Sequence, residues 1–252
     1  MASGIDHVVI AVPDPDAAAD LLTDALGVAF TSGGRHESLG TFNRIAFLGD
    51  AYLELIGVWD EEMAVTWPVG AAAVAALRLG GGFATYALLE EDLPARVAAL
   101  QAAGSRIGLV VRGSRLRPDG DLVEWWAATP AQLGPELPPF LIQHAYSGTE
   151  WGLEAMAGRR TFVHPIGSTV RLAALKIPVA DPAAVAAACA AEVGMSFSGG
   201  RPALARVGPQ RVQLVDRDPR GGGARILLRA GAPGQAFSLA GVLFAIEPPW
   251  AP

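Results

Sequence analysis

The sequence predicts an α+β fold of repeated βαβββ modules, whose curved, mostly antiparallel sheets form a cup with the helices outside. Three observations predict it. One grammar of strand, acidic or proline-containing turn, alanine-rich helix and glycine recurs along the 252 residues. Each recurrence is followed by apolar extended segments set off by turn residues. Hydrophobic residues make up 51% of the chain and charged residues 17%, which can fill a core and is the wrong balance for a disordered chain.

The first module, residues 1–58, opens with IDHVVIAVPDPDAAADLLTDALG and ends its helix at Gly27. The extended segments VAFTSGGRHE, TFNRIAFLG and AYLELIGV follow. A linker over 59–82 carries a helix around Ala71 to Leu79. The second module, 83–145, runs from FATYALLEEDLPARVAALQAAG, ending at Gly104, through LVVRGSRLRP, LVEWWAATP and PFLIQHA, and pairs with the first. Residues 146–170, glycine-rich and polar, read as a loop-rich crossover. The third, degenerate module, 171–252, opens with AALKIPVADPAAVAAACAAEVG, ending at Gly194; PALARVG, QRVQLVD, ARILLRA and one further strand, FSLAGVLFAIE, follow.

The helix boundaries have local causes. Asp14, Glu91 or Asp92, and Asp181 stand where a carboxylate caps free amides and complements the dipole. Pro15, Pro94 and Pro182 fall in the first turn, where a missing N–H is harmless. Gly27, Gly104 and Gly194 stand where a left-handed residue closes a helix. One module alone exposes a sheet face; pairing two puts helices outside and a concave surface inside. An odd number of modules leaves the third to pack on the others or to pair with a second copy as a homodimer.

Several function classes are excluded. The net charge of -6 argues against a nucleic-acid partner. The single cysteine, Cys189, permits no internal disulfide and no cysteine-based zinc site. No apolar run approaches the roughly 20 residues that span a bilayer, and MASGIDHVVI is not a signal peptide, so a cytoplasmic protein without a membrane partner is expected. There is no G-x-S-x-G elbow, no phosphate loop and no H-E-x-x-H.

Glu54 is informative by itself: a carboxylate between Leu53 and Leu55 on a strand is expensive to bury unless it is paired or bound to a metal. His7 lies on the first strand of the same module. A lone strand histidine is more often a hydrogen-bonded core residue; beside Glu54 in the same module it is also a candidate ligand.

IDHVVIAVPDPDAAADLLTDALG, followed by GTFNRIAFLGDAYLELIGV, resembles the opening module of glyoxalase-like domain proteins of the vicinal-oxygen-chelate superfamily (glyoxalase, bleomycin resistance and dioxygenase proteins). RPDGDLVEWW, PPFLIQHA and HPIGS resemble the remainder of larger members. The resemblance implies a divalent metal in the cup, held by a first-strand His and a last-strand Glu, here His7 and Glu54. Zinc, iron, manganese or nickel suits that pair. The other modules depart from the pattern: Ala84 or Thr85, and Ala174 or Leu175, stand where His7 does. Gln143 or His144 corresponds to Glu54 in the second module, to complete the shell or handle a proton, and Gln213 in the third.

Other residues have two readings each. Arg35, His36 and Glu37 line the cup mouth or are solvated. Of Asn43 and Arg44 one faces inward, and Arg44 is a candidate for an anionic or carbonyl-bearing substrate. Trp125 is a core residue or an aromatic wall; His164 is a further base, a ligand or a structural residue. The function expected is a metal-dependent lyase, isomerase or dioxygenase of a small oxygenated substrate. Its rival is a metal-free protein that sequesters a small molecule in the same cup.

Overall fold

A computed structural model describes residues 2–218 and 221–247; the end of the third module, 248–252, and two residues of its basic loop, 219–220, lie outside the described residues. The first module comprises β1 (Gly4–Ala11), α1 (Pro15–Leu26), β2 (Gly34–His36), β3 (Thr41–Leu48) and β4 (Ala51–Val58). The helices α2 (Glu61–Ala64) and α3 (Pro68–Leu77) follow. The second module comprises β5 (Gly82–Leu89), α4 (Leu93–Ala102), β6 (Val111–Leu116), β7 (Leu122–Ala128) and β8 (Phe140–His144).

The capping chemistry places the helices. Asp14 accepts from the amides of Asp16 and Ala17 at the start of α1. Asp92, rather than Glu91, accepts from Ala95 at the start of α4. Gly27 closes α1 at φ 62°, a left-handed conformation that disfavours any residue with a Cβ.

The two modules share one closed sheet in the order β1-β4-β3-β2-β6-β7-β8-β5. Within each module the first strand runs parallel to the last, and β1 meets β5 antiparallel. On the other side, closure between β2 and β6 rests on the pairing of Arg35 with Leu116. Val9, Ala11, Ala84, Ala87, Phe140 and Ile142 pack together inside, with Val69 and Ala73 of α3.

The crossover read as loop-rich contains two short helices, α5 (Gly148–Trp151) and α6 (Leu153–Thr161). The α6 residues are not buried, so no apolar periodicity marks this helix in the sequence.

Beyond it lie β9 (Val170–Val179), α7 (Pro182–Val193), β10 (Ala203–Val207), β11 (Gln210–Asp216), β12 (Arg225–Ala230), β13 (Gln235–Leu239) and β14 (Val242–Glu247). They form a separate sheet ordered β10-β11-β9-β12-β14-β13. FSLAGVLFAIE, expected as one strand, is a hairpin: Ala240 and Gly241 at its tip have φ of 47° and 73°, the backbone of a two-residue turn.

This sheet repeats the pattern of the first. β9 is parallel to β11 and antiparallel to β12, and β12 is parallel to β14. The third module is therefore two degenerate units, βαββ and a helix-less βββ, already paired with each other. The odd module left over by the sequence is accounted for within the chain.

One core cluster joins Ile5, Val8 and Ile10 of β1, Leu22 and Leu26 of α1 and Val97 and Leu100 of α4 to Leu175, Ile177, Val212, Ile226 and Phe244 of the second sheet. The second sheet thus seats on the outer wall of the closed one. No helix among the described residues is long and apolar enough to cross a membrane.

Candidate functional site

Inside the closed sheet lies a cavity of about 60 Å³. The strands supply His7, His36, Asn43, Tyr52, Glu54, Arg115, Trp125, Phe140 and His144 to its wall; the crossovers add Trp67, Val69 and Trp151.

Asp6 and His7 are neighbours in a strand, where side chains normally alternate faces. A register shift between Ile5 and His7 breaks that alternation: Ile5 pairs with Leu88 and His7 with Ala87, leaving Asp6 as the extra residue of a bulge. Asp6 therefore reaches both His7 and His144. Its Oδ1 lies 2.6 Å from His7 Nδ1 and its Oδ2 2.9 Å from His144 Nε2, all three residues being buried. Burial alone would raise the Asp6 carboxyl, but His144 and His7 outweigh it and hold the group well below the usual carboxylate range. An ionised carboxylate only accepts, so both imidazoles carry a hydrogen on the nitrogen that faces it.

That tautomer turns His7 Nε2 toward Glu54, whose Oε2 is 3.7 Å away. Glu54 Oε1 accepts from Asn43 Nδ2 at 2.6 Å. The Asn43 carbonyl accepts from the Gly34 amide at 3.0 Å, which fixes the orientation of the side-chain amide. Tyr52 stacks on His7 with ring centroids 4.5 Å apart. Burial, then the charges of Asp6 and Glu54, push the Tyr52 hydroxyl well above its ordinary value, so it stays protonated. His36 Nδ1 meets Thr41 Oγ1 at 2.8 Å. Burial pushes its imidazole down to about 4, Glu54 opposing and Arg115 and His7 assisting, so His36 is neutral near pH 7.

Across the cavity, Arg115 bonds Glu150, which also accepts from Arg117 and, at 3.2 Å, from Trp151 Nε1. Two glycines make room for this wall. A Cβ on Gly34 would lie 2.8 Å from Arg115 Cγ and Nη1, and one on Gly113 would lie 2.5 Å from the Trp125 ring. Trp151 stacks on His144, ring centroids 3.4 Å apart, which ties the second crossover to the strand histidine.

Of the residues singled out from the sequence, the fold brings His7, Glu54, His144 and Trp125 to the cavity. Gln143 does not reach it: the alternation of β8 sends its side chain outward, where it accepts from the Leu93 amide at the start of α4. Arg44 does not reach it either; Asn43 takes the inward face and Arg44 pairs with Asp16 of α1 at 2.7 Å. His164 lies elsewhere, accepting from the Ala29 amide and bonding the Phe47 carbonyl, a structural cross-link. His36 is buried in the cavity wall, between the half-exposed Arg35 and the exposed Glu37. The sequence reading passed over Asp6, Tyr52, Arg115, Glu150 and Trp151.

The divalent metal implied by the resemblance would need about three or more converging donors. His7 and Glu54 supply two, with Asp6 behind His7 as an outer carboxylate. The second module offers Ala84, and on β8 His144, whose Nε2 is held by Asp6 and whose buried Nδ1 has no hydrogen-bond partner among the described residues. Among the described residues no group of three or more His, Cys, Asp or Glu is placed to hold a metal ion. The donor set does not fit a resident metal.

The profile of a family described as the glyoxalase-like domain matches residues 5–193. Nothing among the curated proteins matches. A solved structure described as a hypothetical protein from Staphylococcus aureus superposes with a TM-score of 0.78 at 16% identity, over 97% of this chain and 98% of that one. Methylmalonyl-CoA epimerase from Mycobacterium tuberculosis matches at 22% identity over 57% of this chain and 89% of its own, with a TM-score of 0.44. A Streptomyces coelicolor methylmalonyl-CoA epimerase variant in complex with 2-nitronate-propionyl-CoA matches at 21% identity over 57% and 99%, with the same score. At 16% identity the first of these likenesses is one of fold.

Proposed function

The chain belongs to the glyoxalase-like domain family of the vicinal-oxygen-chelate superfamily, and from that premise we propose that it is an isomerase or lyase that moves a proton on a small oxygenated molecule. The observation that carries this reading is the buried pair of Glu54 and His7, facing each other at 3.7 Å with Asp6 behind one and Asn43 holding the other.

A substrate seated in the cavity beside the two gives a proton from carbon to Glu54 Oε2. The charge left on the adjacent oxygen is met by hydrogen-bond donors such as the Tyr52 hydroxyl. Return of the proton to the neighbouring carbon completes an isomerisation; loss of a leaving group instead completes an elimination. Asp6 stabilises the imidazolium that forms when His7 takes up a proton, as an ionised carboxylate beside a ring does. The dioxygenase branch of the superfamily calls for a redox metal, for which the donor set above is too small.

The test is proton exchange in D2O, followed by NMR, with EDTA-dialysed protein and a panel including hydroxyacetone, glycolaldehyde and pyruvate. Wild type is expected to exchange at least one of them, and Glu54→Gln to lower the rate by about 10²-fold or more with its melting temperature retained. Absence of enzyme-dependent exchange across the panel would sink the reading. A second reading, sequestration of a ligand, is favoured by the aromatic wall of Trp67, Trp125, Trp151 and Phe140. It predicts that a bound molecule raises the melting temperature and is recovered unchanged.

A further inference from the structure

We propose that Arg115 makes this cavity selective for small carboxylates, holding the carboxylate of a 2-oxo or 2-hydroxy acid at its Nη1. Arg115 is 3% exposed and lines the cavity. Its Nη2 bonds Glu150, whereas its Nη1, shut off from solvent, has no hydrogen-bond partner among the described residues. A charged donor in that position is unfavourable to bury unless an acceptor meets it.

Glu150 cannot be that acceptor as well. Its Oε1 already receives Arg115 Nη2 and Trp151 Nε1, and its Oε2 receives Arg117. Arg117 has a second carboxylate partner, Asp119, whereas Arg115 pairs with Glu150 alone among the described residues. The neighbouring His36 is neutral near pH 7, so it neither competes for an anion nor supplies the missing charge. The wall around Arg115 thus holds a cation with an open donor, and a planar guanidinium is suited to the planar oxygens of a carboxylate.

Two features bound the ligand. The cavity, about 60 Å³, admits a molecule of a few heavy atoms and excludes a nucleotide-sized group. Gly34 leaves room for Nη1, since a Cβ there would lie 2.8 Å from it. Glu54 and Arg115 both line this one cavity. A carboxylate at Arg115 turns the carbon next to it toward Glu54. That last placement rests on the proton-transfer reading; the anion contact does not.

The experiment compares pyruvate with hydroxyacetone, which has a similar shape and no charge, on the full-length protein. Titration calorimetry is expected to give a wild-type Kd for pyruvate at least ten-fold lower, with a rise in melting temperature. Arg115→Met is expected to erase the preference and Arg115→Lys to restore part of it. Equal affinities in wild type, binding of neither, or a preference surviving in Arg115→Met would each overturn the proposal. The wild-type comparison decides the matter even if Arg115→Met fails to fold. Deuterium exchange separates the two readings. Exchange into both compounds with equal KM removes the role of Arg115 and leaves proton transfer standing. Tight pyruvate binding without exchange leaves Arg115 standing and removes proton transfer.

Discussion

Asp6 accepts from His7 at 2.6 Å and from His144 at 2.9 Å, so one carboxylate fixes the tautomers of two buried imidazoles. Asp6→Asn keeps the shape but presents an amide that satisfies at most one of them as before. Charge-assisted bonds in a buried network are worth about 1.5–3 kcal/mol each, so a loss of about 3 kcal/mol is expected from urea unfolding; an unchanged midpoint would mean that the bulge, not the bonds, holds the strand. His36 acts on a different pH window. Its folded pKa, about 4, lies below the ordinary 6.5 of an imidazole, so the unfolded chain takes up the proton first. The stability it contributes is complete above about pH 6.5 and is lost as pH falls toward 4, by about 3 kcal/mol at most. His164, also lowered by burial, works in the same direction. Urea midpoints at pH 7.5 and 4.5 are expected to diverge in wild type and to converge partly in His36→Gln. Equal divergence in both proteins would remove His36 from the account.

At the scale of elements, β6 and β7 meet through a close approach: Gly113 pairs with Trp125, whose ring lies where a Cβ on Gly113 would go. Gly113→Ala is expected to cost about 1–3 kcal/mol through overpacking and to change the fluorescence of the displaced indole; unchanged stability and emission would show slack in that wall. Such an approach was not legible in VRGSRL, because a glycine in a strand does not say what fills its space. The caps were legible because they are local: Asp14, Pro15 and Gly27 act within one or two turns of α1. His7, Glu54 and His144 were legible as polar groups in apolar strands. Asp6 has the same signal, an acid in IDHVVIAV, but strict alternation sends it away from His7, and only the bulge returns it. The choice between Gln143 and His144 needed the face of β8, and Arg115 needed a partner 35 residues away in a segment that reads as loop. The second degenerate unit of the C-terminal sheet has no helix, and without a helix the repeat grammar has nothing to match.

For the whole molecule, the question is whether the closed sheet with its cavity stands without residues 170–247. The outer wall of β1 and the faces of α1 and α4 share one core cluster with β9–β14. Hydrogen bonds cross the same boundary: Arg96 to the Val193 carbonyl at 2.8 Å, Ser105 to the Glu192 carbonyl at 2.7 Å, and the Ile5 amide to Gln210 Oε1 at 3.1 Å. The last of these grips the chain beside the Asp6 bulge, so the second sheet braces the strand that presents His7. Exposing Val8, Ile10, Leu22, Leu26, Val97 and Leu100 would forfeit part of about 1.5–3 kcal/mol per side chain. Even half of that sum is comparable with the about 5–15 kcal/mol by which a domain is stable at all. A chain ending at residue 169 is therefore expected to lack a cooperative thermal transition and a dispersed amide spectrum, while the full chain unfolds in one step seen alike by far-UV and near-UV circular dichroism. If the shortened chain melts cooperatively, or if the full chain shows two separated transitions, the second sheet is an independent domain, and the cavity owes its geometry to the closed sheet alone.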